Sequence, residues 1–338
     1  MSSASAIPRR RIPSWLPQAF GYTLSVVSLL WVLRHYDISR IGQEITTLDW
    51  RWVTLGVIAD LATYVAHAWR WNTLLRPVAP LSLWRTTQAI YIGLFANEVL
   101  PLRTGEVIRC YLLAHWNKLR LSVIFASAAV ERLIDGFWMV VSFVITAGFV
   151  TGINRTLVLL VQILAVGILM GVLALLALAN RENLPGGPGV TESKWLATMR
   201  HITAGLRLMG KRRSLIATTF ISLLYLALQF ITVWALMKAY HFDYSFWVAS
   251  GLITLVRLAV VIPNAPGNLG VFQAACVAAL KLFGANEQDA IGFAFVMWVA
   301  LTLPLLVGGA IATALTGLNI GELRARAQRS TIEAEHQP

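Results

Sequence analysis

Long runs without a charged side chain dominate this sequence and limit what it can fold into. The three longest contain 25, 24 and 32 residues: Thr156–Asn180, Ser214–Met237 and Ala290–Gly321. A helix of about 20 mostly apolar residues crosses the hydrocarbon core of a bilayer. With 57% hydrophobic and only 13% charged residues, the chain is also far from the composition of soluble domains. It is predicted to be an all-α, polytopic membrane protein.

The charge distribution predicts the orientation of these spans. The net charge is +12, and the basic residues flank apolar runs, which excludes a nucleic-acid-binding surface. Basic loops of this kind either orient the protein by the positive-inside rule or attract anionic lipid head groups. Arg9–Arg11 precede the uncharged run Ile12–Leu33, which is predicted to be an uncleaved first span with a cytoplasmic N-terminus.

A short uncharged run, Thr86–Asn97, predicts a re-entrant hairpin in the first half of the chain. It is too short to span a bilayer and leads into a polar segment containing Pro101. The basic segments on either side, Arg70–Arg85 and Arg103–Arg120, are both predicted to be cytoplasmic. The chain between them therefore enters and leaves the membrane on the same side.

A second short run, Tyr244–Val256, predicts a hairpin over Phe246–Phe283 that enters from the outside, with its tip near Pro263–Gly270. A tilted ordinary span is the alternative for each hairpin. Two opposed hairpins in corresponding halves are typical of an inverted repeat. We expect about six full spans and these two hairpins in residues 17–318, between a cytoplasmic segment 1–16 and a polar tail 319–338.

Smaller features complete this prediction. Asp37–Arg51 has the apolar spacing of a surface helix at the membrane interface. The basic segment Arg181–Arg213 is predicted to be a cytoplasmic loop. Several tryptophans near predicted span ends indicate an interfacial aromatic belt: Trp50, Trp52, Trp69, Trp71, Trp84 and Trp247.

Ionisable residues at membrane depth are the strongest functional signal. Each would cost about 2.5–3.5 kcal/mol if it faced lipid at the bilayer centre, so they must face one another or a water-filled cavity. One interpretation is an ion-pair network that locks the first hairpin to the following span. Another, compatible with the first, is a polar cavity whose arginines bind a phosphate head group. The residues are Glu98, Arg103, Glu106, Arg109, Glu131, Arg132, Asp135 and Arg257.

Helical spacing groups these residues. If Thr104–Leu113 is helical, Glu106 and Arg109 share a face, and Glu131 and Asp135 share another. Asp60, His67 and Arg70 also lie roughly on one face of the second span. His67 there is predicted to be a hydrogen-bonded packing residue rather than a proton relay.

The tip of the second hairpin is a candidate anion site. A helix that resumes near Asn268–Val271 directs its first amides at the tip, and Gly267 and Gly270 allow close backbone approach. Tight helix packing is the alternative reason for these glycines. We expect a lipid phosphate to be bound by Arg109, Arg257 and amides of Asn268–Gly270.

Other chemistry is not indicated. No Cys/His cluster has the spacing of a zinc site, and no nucleotide-binding loop or catalytic triad motif is visible. Cys110 and Cys276 cannot form a disulfide framework. No metal, cofactor or catalytic residue is therefore predicted.

Three motifs in this order resemble a known family, the flippase-like transmembrane domain of lysylphosphatidylglycerol synthases and its stand-alone relatives. The resemblance covers about Pro17 to Leu318 and also includes Arg70-Trp71-x-x-Leu74-Leu75. The three motifs are Asn97-x-x-Leu100-Pro101-x-Arg103-x-Gly105-Glu106-x-x-Arg109, Glu131-Arg132-x-x-Asp135 and Ile262-Pro263-x-x-Pro266-Gly267-x-Leu269-Gly270.

The resemblance implies a bacterial inner-membrane protein that moves a phospholipid or a polyprenyl-linked lipid between leaflets. Synthase activity is not expected, because the aminoacyl-transferring domain of the bifunctional members does not follow residue 318. A separate synthase or transferase is an expected partner. The alternative is a membrane-embedded transferase with Glu106, Glu131 or Asp135 as general base. The predicted substrate-binding residues are Asn97, Arg103, Glu106, Arg109, Glu131, Arg132, Asp135, Arg257, Pro263, Gly267, Asn268 and Gly270.

Overall fold

Helices form every regular element of the described chain, which confirms the all-α prediction. The computed structural model describes residues 16–34, 41–100, 104–149, 212–261 and 264–317, and residues 159, 163, 166, 167, 170 and 171. A 3₁₀ turn, Pro266–Asn268, lies between two of the helices. The α-helices are α1 (Leu16–Arg34), α2 (Ile41–Thr47), α3 (Trp50–Leu75), α4 (Leu83–Val99), α5 (Gly105–Asn117), α6 (Leu121–Phe149), α7 (Arg212–Ala239), α8 (Phe246–Val260), α9 (Val271–Leu282) and α10 (Glu287–Thr316).

Helices α1, α7 and α10 overlap the predicted spans Ile12–Leu33, Ser214–Met237 and Ala290–Gly321. Two stretches among the described residues are long and apolar enough to cross a membrane, Ile216–Ala239 in α7 and Glu287–Thr316 in α10. Helices α3 and α6 have 26 and 29 residues, but ionisable side chains interrupt their apolar sequence. The predicted span Thr156–Asn180 and the loop Arg181–Arg213 fall almost entirely outside the described residues.

Helices α3 and α7 run antiparallel along most of their length and join the two halves of the chain. At one end the rings of Trp52 and Trp234 meet edge to face, with centroids 5.4 Å apart. At the other end the Ser214 hydroxyl donates to the Thr73 carbonyl. Helix α3 begins at a capped end, where the Asp49 carboxylate accepts from the Arg51 amide at 3.0 Å.

The first predicted hairpin is formed by α4 and α5, which pack along each other. A Cβ at Gly105 would overlap the Gly93 carbonyl oxygen, so the two backbones touch at this point. The Asn97 side chain closes the turn by accepting from the Gly105 amide at 2.8 Å. The basic segment Arg103–Arg120 is therefore helical over residues 105–117, as the spacing of Glu106 and Arg109 assumed. Arg109 is buried there, because it pairs with carboxylates instead of solvent.

The second predicted hairpin is formed by α8 and α9, and its tip is held by two other elements. The Ser25 hydroxyl of α1 accepts from the Ala265 amide at 2.8 Å, and the α1 backbone lies against Gly270. From the other side, a Cβ at Gly267 would lie 3.3 Å from the Glu98 carboxylate at the end of α4. The tips of the two hairpins therefore meet.

Two smaller predictions have mixed outcomes. The predicted surface helix is present as α2, although it ends at Thr47 and Trp50 already belongs to α3. Trp50, Trp69 and Trp84 are exposed, in agreement with an aromatic belt. Trp71 is fully buried, and its indole donates to Ser127 at 2.9 Å, so its assignment to that belt is wrong.

The contact between α1 and Gly270 predicts a strong effect of a single methyl group. Gly270 and Gly284 both have a positive φ, +87° and +85°, but nothing lies within 4 Å of a Cβ at Gly284. Gly284→Ala should lower the free energy of unfolding by about 1–2 kcal/mol through backbone strain alone. Gly270→Ala should lower the free energy of unfolding by ~1–3 kcal/mol more than Gly284→Ala does, because its methyl group would also overlap α1. Unfolding of both variants in the same detergent tests this, and equal losses would contradict the packing of α1 on the tip.

Candidate functional site

Three helices, α3, α5 and α6, bring three guanidinium groups and three carboxylates together inside the bundle. Charges of both signs are balanced in this cluster, which we call the ion-pair network. Its members are Arg70, Glu106, Arg109, Glu131, Arg132 and Asp135.

Glu131 is the centre of the network and is 0% exposed. Its Oε1 lies 3.3 Å from Arg70 Nη2 and 3.3 Å from His67 Nε2, and its Oε2 lies 3.4 Å from Arg109 Nη1. His67 Nε2 is also 3.2 Å from Arg109 Nη1. Helices α3, α5 and α6 are thereby joined through one carboxylate.

Arg70 links Glu131 to the next acidic residue of α6. The Arg70 side chain is 0% exposed, and its guanidinium group donates to both carboxylate oxygens of Asp135. This forked geometry is available to arginine and not to lysine. Because Glu131 and Asp135 are four residues apart on α6, a single guanidinium group reaches both.

Glu106 and Arg132 form the accessible edge of the network, with side chains 35% and 53% exposed. Arg132 Nη2 lies 2.5 Å from Glu106 Oε1, and its Nη1 lies 3.6 Å from Asp135 Oδ2. Glu106 Oε2 is 2.8 Å from Nη2 of Arg109, which lies three residues further along α5. The network therefore contains fully buried charges at one end and charges that a ligand can reach at the other.

Two aromatic rings enclose the buried guanidinium groups. The Arg109 guanidinium carbon lies 4.6 Å from the centroid of the Trp71 ring, and that of Arg70 lies 4.6 Å from the Tyr225 ring. Tyr225 also contacts Arg257 of α8, with 5.8 Å between the guanidinium carbon and the ring centroid and 3.5 Å between Arg257 Nη2 and the Tyr225 hydroxyl. Tyr225 thus connects the network to the second hairpin.

The structure brings most of the predicted charged residues together. Glu106, Arg109, Glu131, Arg132 and Asp135 share one network, and Arg257 reaches it through Tyr225. Asn97 lies at the hairpin turn instead, where its side chain holds the Gly105 amide. Arg103 and Pro263 are outside the described residues.

The glycine-rich tip of the second hairpin is separate from the network, and its amides are already occupied. The Asn268 amide donates to the Ala265 carbonyl at 3.1 Å, and the Gly270 amide donates to the Gln273 side chain at 2.7 Å. In this structure these two amides, which the sequence predicts to bind a phosphate, donate to acceptors within the hairpin tip instead. Gly267 instead offers its carbonyl, which accepts from the Trp298 indole at 2.8 Å.

Sequence reasoning did not place Arg70, Trp71, His67 or Tyr225 in the site. A signal existed for His67 and Arg70, which share a helix face with Asp60, and for the Arg70-Trp71 pair in the family motif. Tyr225 lies inside the long uncharged run of α7, and nothing in its neighbourhood distinguishes it. Among the residues that the structure describes, no group of three or more His, Cys, Asp or Glu could hold a metal ion.

A family model, described as the lysylphosphatidylglycerol synthase TM region, matches residues 18–309. The chain belongs to this family. The match includes every member of the ion-pair network and both hairpins. The protein is therefore a membrane protein.

A relative with a similar chain supports this assignment. The "UPF0104 membrane protein" of Methanothermobacter thermautotrophicus (strain Delta H) is 22% identical over 270 residues, which cover 73% of this chain and 80% of the relative. No solved structure matches the chain.

A double-mutant cycle on Arg109 and Glu131 tests the network. Removing one partner of a buried ion pair typically costs about 3–5 kcal/mol, because the other charge is left unpaired. Because Glu131 keeps Arg70 and Arg109 keeps Glu106 as a partner, Arg109→Gln and Glu131→Gln should each lower the free energy of unfolding by up to this amount. The loss in the double variant should be clearly smaller than the sum of the two single losses.

The exposed pair Lys238–Asp243, with 3.0 Å between Nζ and Oδ1, is the matched control. A cycle with Lys238→Gln and Asp243→Asn should give a coupling of about 0–1 kcal/mol. Equal coupling energies in the two cycles, measured by unfolding in one detergent, would contradict the buried network.

Proposed function

We propose that this membrane protein is a lipid translocator that moves an anionic or polyprenyl-linked lipid between leaflets. One observation carries the proposal: a continuous series of charged and aromatic side chains connects the two hairpins within an otherwise apolar chain. A lipid head group needs such a polar path, because charges exposed to the hydrocarbon core cost several kcal/mol.

The proposed arrangement in the membrane has six full spans and two hairpins that enter from opposite faces, with both termini cytoplasmic in the inner membrane. Helices α4, α5, α8 and α9 have 17, 13, 15 and 12 residues, fewer than the roughly 20 needed to cross a bilayer. The contact between Glu98 and Gly267 supports hairpins that meet inside the membrane. Irregular backbone at that depth is tolerated where protein encloses it.

The network lies near the middle of the membrane in this arrangement. Glu131 follows Leu121, the first residue of α6, by ten positions. At 1.5 Å per residue this is about 15 Å, half of a hydrocarbon core of about 30 Å. A head group that contacts the network is therefore midway between the leaflets.

The polar path begins at the exposed edge formed by Glu106 and Arg132 and ends at the second hairpin. From Arg132 it continues through Asp135 and Arg70, then across the Tyr225 ring to Arg257. Each step is a contact between neighbouring side chains. Because the path joins both hairpins, a relative movement of the hairpins would change the distance between its first residues, Glu106 and Arg132, and its last, Arg257.

We assign phosphate binding to Arg132 and Arg257 rather than to Arg109. Arg109 is committed to Glu106, Glu131 and Trp71, so it positions the hairpin. Arg132 is half-exposed, and Arg257 has no carboxylate within 4.0 Å among the described residues. Two guanidinium groups of this kind suit a phosphate, which accepts bidentate hydrogen bonds. Arg103 stays a candidate from the sequence.

The transferase alternative finds no support in the network. Each of its three carboxylates has a guanidinium nitrogen within 3.6 Å. A general base must direct its carboxylate at the substrate proton. Here the oxygens of Glu106, Glu131 and Asp135 accept from arginines instead.

Lysine substitutions at the proposed phosphate ligands test the function. In proteoliposomes with fluorescent phosphatidylglycerol, Arg257→Lys and Arg132→Lys should slow leaflet exchange about tenfold each, since loss of one charge-assisted hydrogen bond costs ~1.5–3 kcal/mol. Arg85→Lys is the matched control, because Arg85 is exposed and stacks on Trp116 with 5.4 Å between guanidinium carbon and ring. Its exchange rate should equal that of the wild type.

Thermal unfolding of the same samples separates folding from transport. If folded Arg257→Lys and Arg132→Lys proteins exchange lipid at the wild-type rate, the assigned binding role is wrong. If the wild type moves no lipid in a panel that includes phosphatidylglycerol and a polyprenyl phosphate, the translocator proposal fails.

A further inference from the structure

A buried carboxylate of α3, Asp60, lies outside the ion-pair network and differs from its members. Asp60 is 7% exposed, and its Oδ2 has no hydrogen-bond partner in the described chain. It follows Trp50, the first residue of α3, by ten positions, so it is about 15 Å along the helix. In the proposed arrangement this is also the middle of the membrane.

The groups around Asp60 do not pair with its carboxylate in the way that arginines pair with the carboxylates of the network. Among the described residues no guanidinium or ammonium nitrogen lies within 4.0 Å of its carboxylate, whereas each network carboxylate has at least one. The titratable side chains around it are Tyr64 on α3, Tyr91 on α4 and Arg257 on α8, and Tyr225 on α7 is a neighbour of Tyr64. Among these groups Arg257 carries the positive charge, and its Nη2 lies 3.5 Å from the Tyr225 hydroxyl.

Helix α7 adds a second buried polar group without a partner. Gly56 of α3 lies against Leu236, and the His67 ring is 5.5 Å from the Tyr225 ring, so residues 56–67 of α3 face residues 225–236 of α7. The facing stretches contain Asp60 and Gln229. Gln229 is 5% exposed, and neither its amide nitrogen nor its amide oxygen has a hydrogen-bond partner in the described chain. Buried polar groups of this kind mark sites of function or of bound solvent and ions.

We infer that Asp60 is a proton-binding site whose occupancy controls the availability of Arg257, an inference that rests on the proposed translocation function. A single carboxyl group can take up one proton and become neutral. A metal cation would need several ligand groups, and the described residues contain no group of three or more acidic, His or Cys side chains arranged for one. The proton is therefore the ligand that fits this site.

The link to transport is a competition for Arg257. An ionised Asp60 attracts the Arg257 guanidinium group, and a protonated Asp60 leaves it to a lipid phosphate. Because linkage is reciprocal, bound lipid phosphate favours proton uptake by Asp60 to the same extent that the proton favours lipid binding. A proton gradient across the membrane would then drive directional lipid movement.

Carbodiimide labelling of the full-length protein in detergent tests the proton site without any transport. Dicyclohexylcarbodiimide adds to protonated carboxyl groups in apolar surroundings, and the stable N-acylurea adduct is located by mass spectrometry. We expect labelling at Asp60 that decreases as the pH rises, and no labelling at Asp135 or Glu131, which are held by arginines. Asp60→Asn should remove the adduct.

Two labelling results would overturn the inference. One is the absence of an Asp60 adduct throughout pH 5–9 in protein that a thermal unfolding measurement shows to be folded. The other is protection of Asp60 by NaCl at constant pH and ionic strength, compared with choline chloride, which would make sodium the ligand.

Leaflet exchange of fluorescent phosphatidylglycerol tests the link. For the wild type, exchange at pH 6 should exceed exchange at pH 8 by about fivefold or more, in line with ordinary coupling energies. In Asp60→Asn the two rates should be equal. A pH dependence that persists in Asp60→Asn would overturn the inference while the translocator stands. If the wild type shows no lipid exchange but Asp60 is labelled, the proposed translocation function and its coupling to Asp60 are both wrong. The proton-binding site at Asp60 would still stand.

Discussion

Charges at membrane depth must be paired, and the arrangement of the described helices depends on this constraint. Glu131 contacts Arg70, His67 and Arg109, so removing it would leave Arg70 with Asp135 and Arg109 with Glu106 and would break the link between α3 and α5. An uncompensated buried charge destabilises a protein far more than a lost surface pair does. The network therefore holds the first hairpin against α3 and α6, while its accessible edge remains available to a ligand.

Close backbone contacts complement these ion pairs. The first hairpin can bring Arg109 to Glu131 because Gly93 and Gly105 let α4 and α5 touch, and Gly270 lets α1 cover the second hairpin tip. Without side chains at these positions, dispersion contacts between backbones replace the hydrophobic effect, which does not drive helices together within lipid. Tyr225 then joins the two halves at the point where α3 contributes Arg70 and the second hairpin contributes Arg257.

The positions of the long helices were largely predictable from the lengths of the uncharged runs, because bilayer thickness sets the length of a spanning helix. The opposed entry of the two hairpins stays a prediction from charge parity. The pairing of Glu106, Arg109, Glu131 and Asp135 was predictable from helical spacing and the cost of isolated charges. Tyr225 was not, since its role arises from the antiparallel packing of α3 and α7. Charge counting assigned the segment around Arg109 to the cytoplasmic side, although it cannot distinguish an arginine in solvent from one paired within the protein.

Side-specific cysteine labelling tests the central claim, that the two hairpins enter from opposite faces and bring the network to mid-membrane. In a background with Cys110→Ala and Cys276→Ala, both buried in the native protein, His115→Cys and Asp243→Cys introduce exposed thiols after the first hairpin and before the second. A membrane-impermeant maleimide should label His115→Cys only in inside-out vesicles and Asp243→Cys only in right-side-out vesicles. Labelling of both positions from the same side would contradict the opposed hairpins.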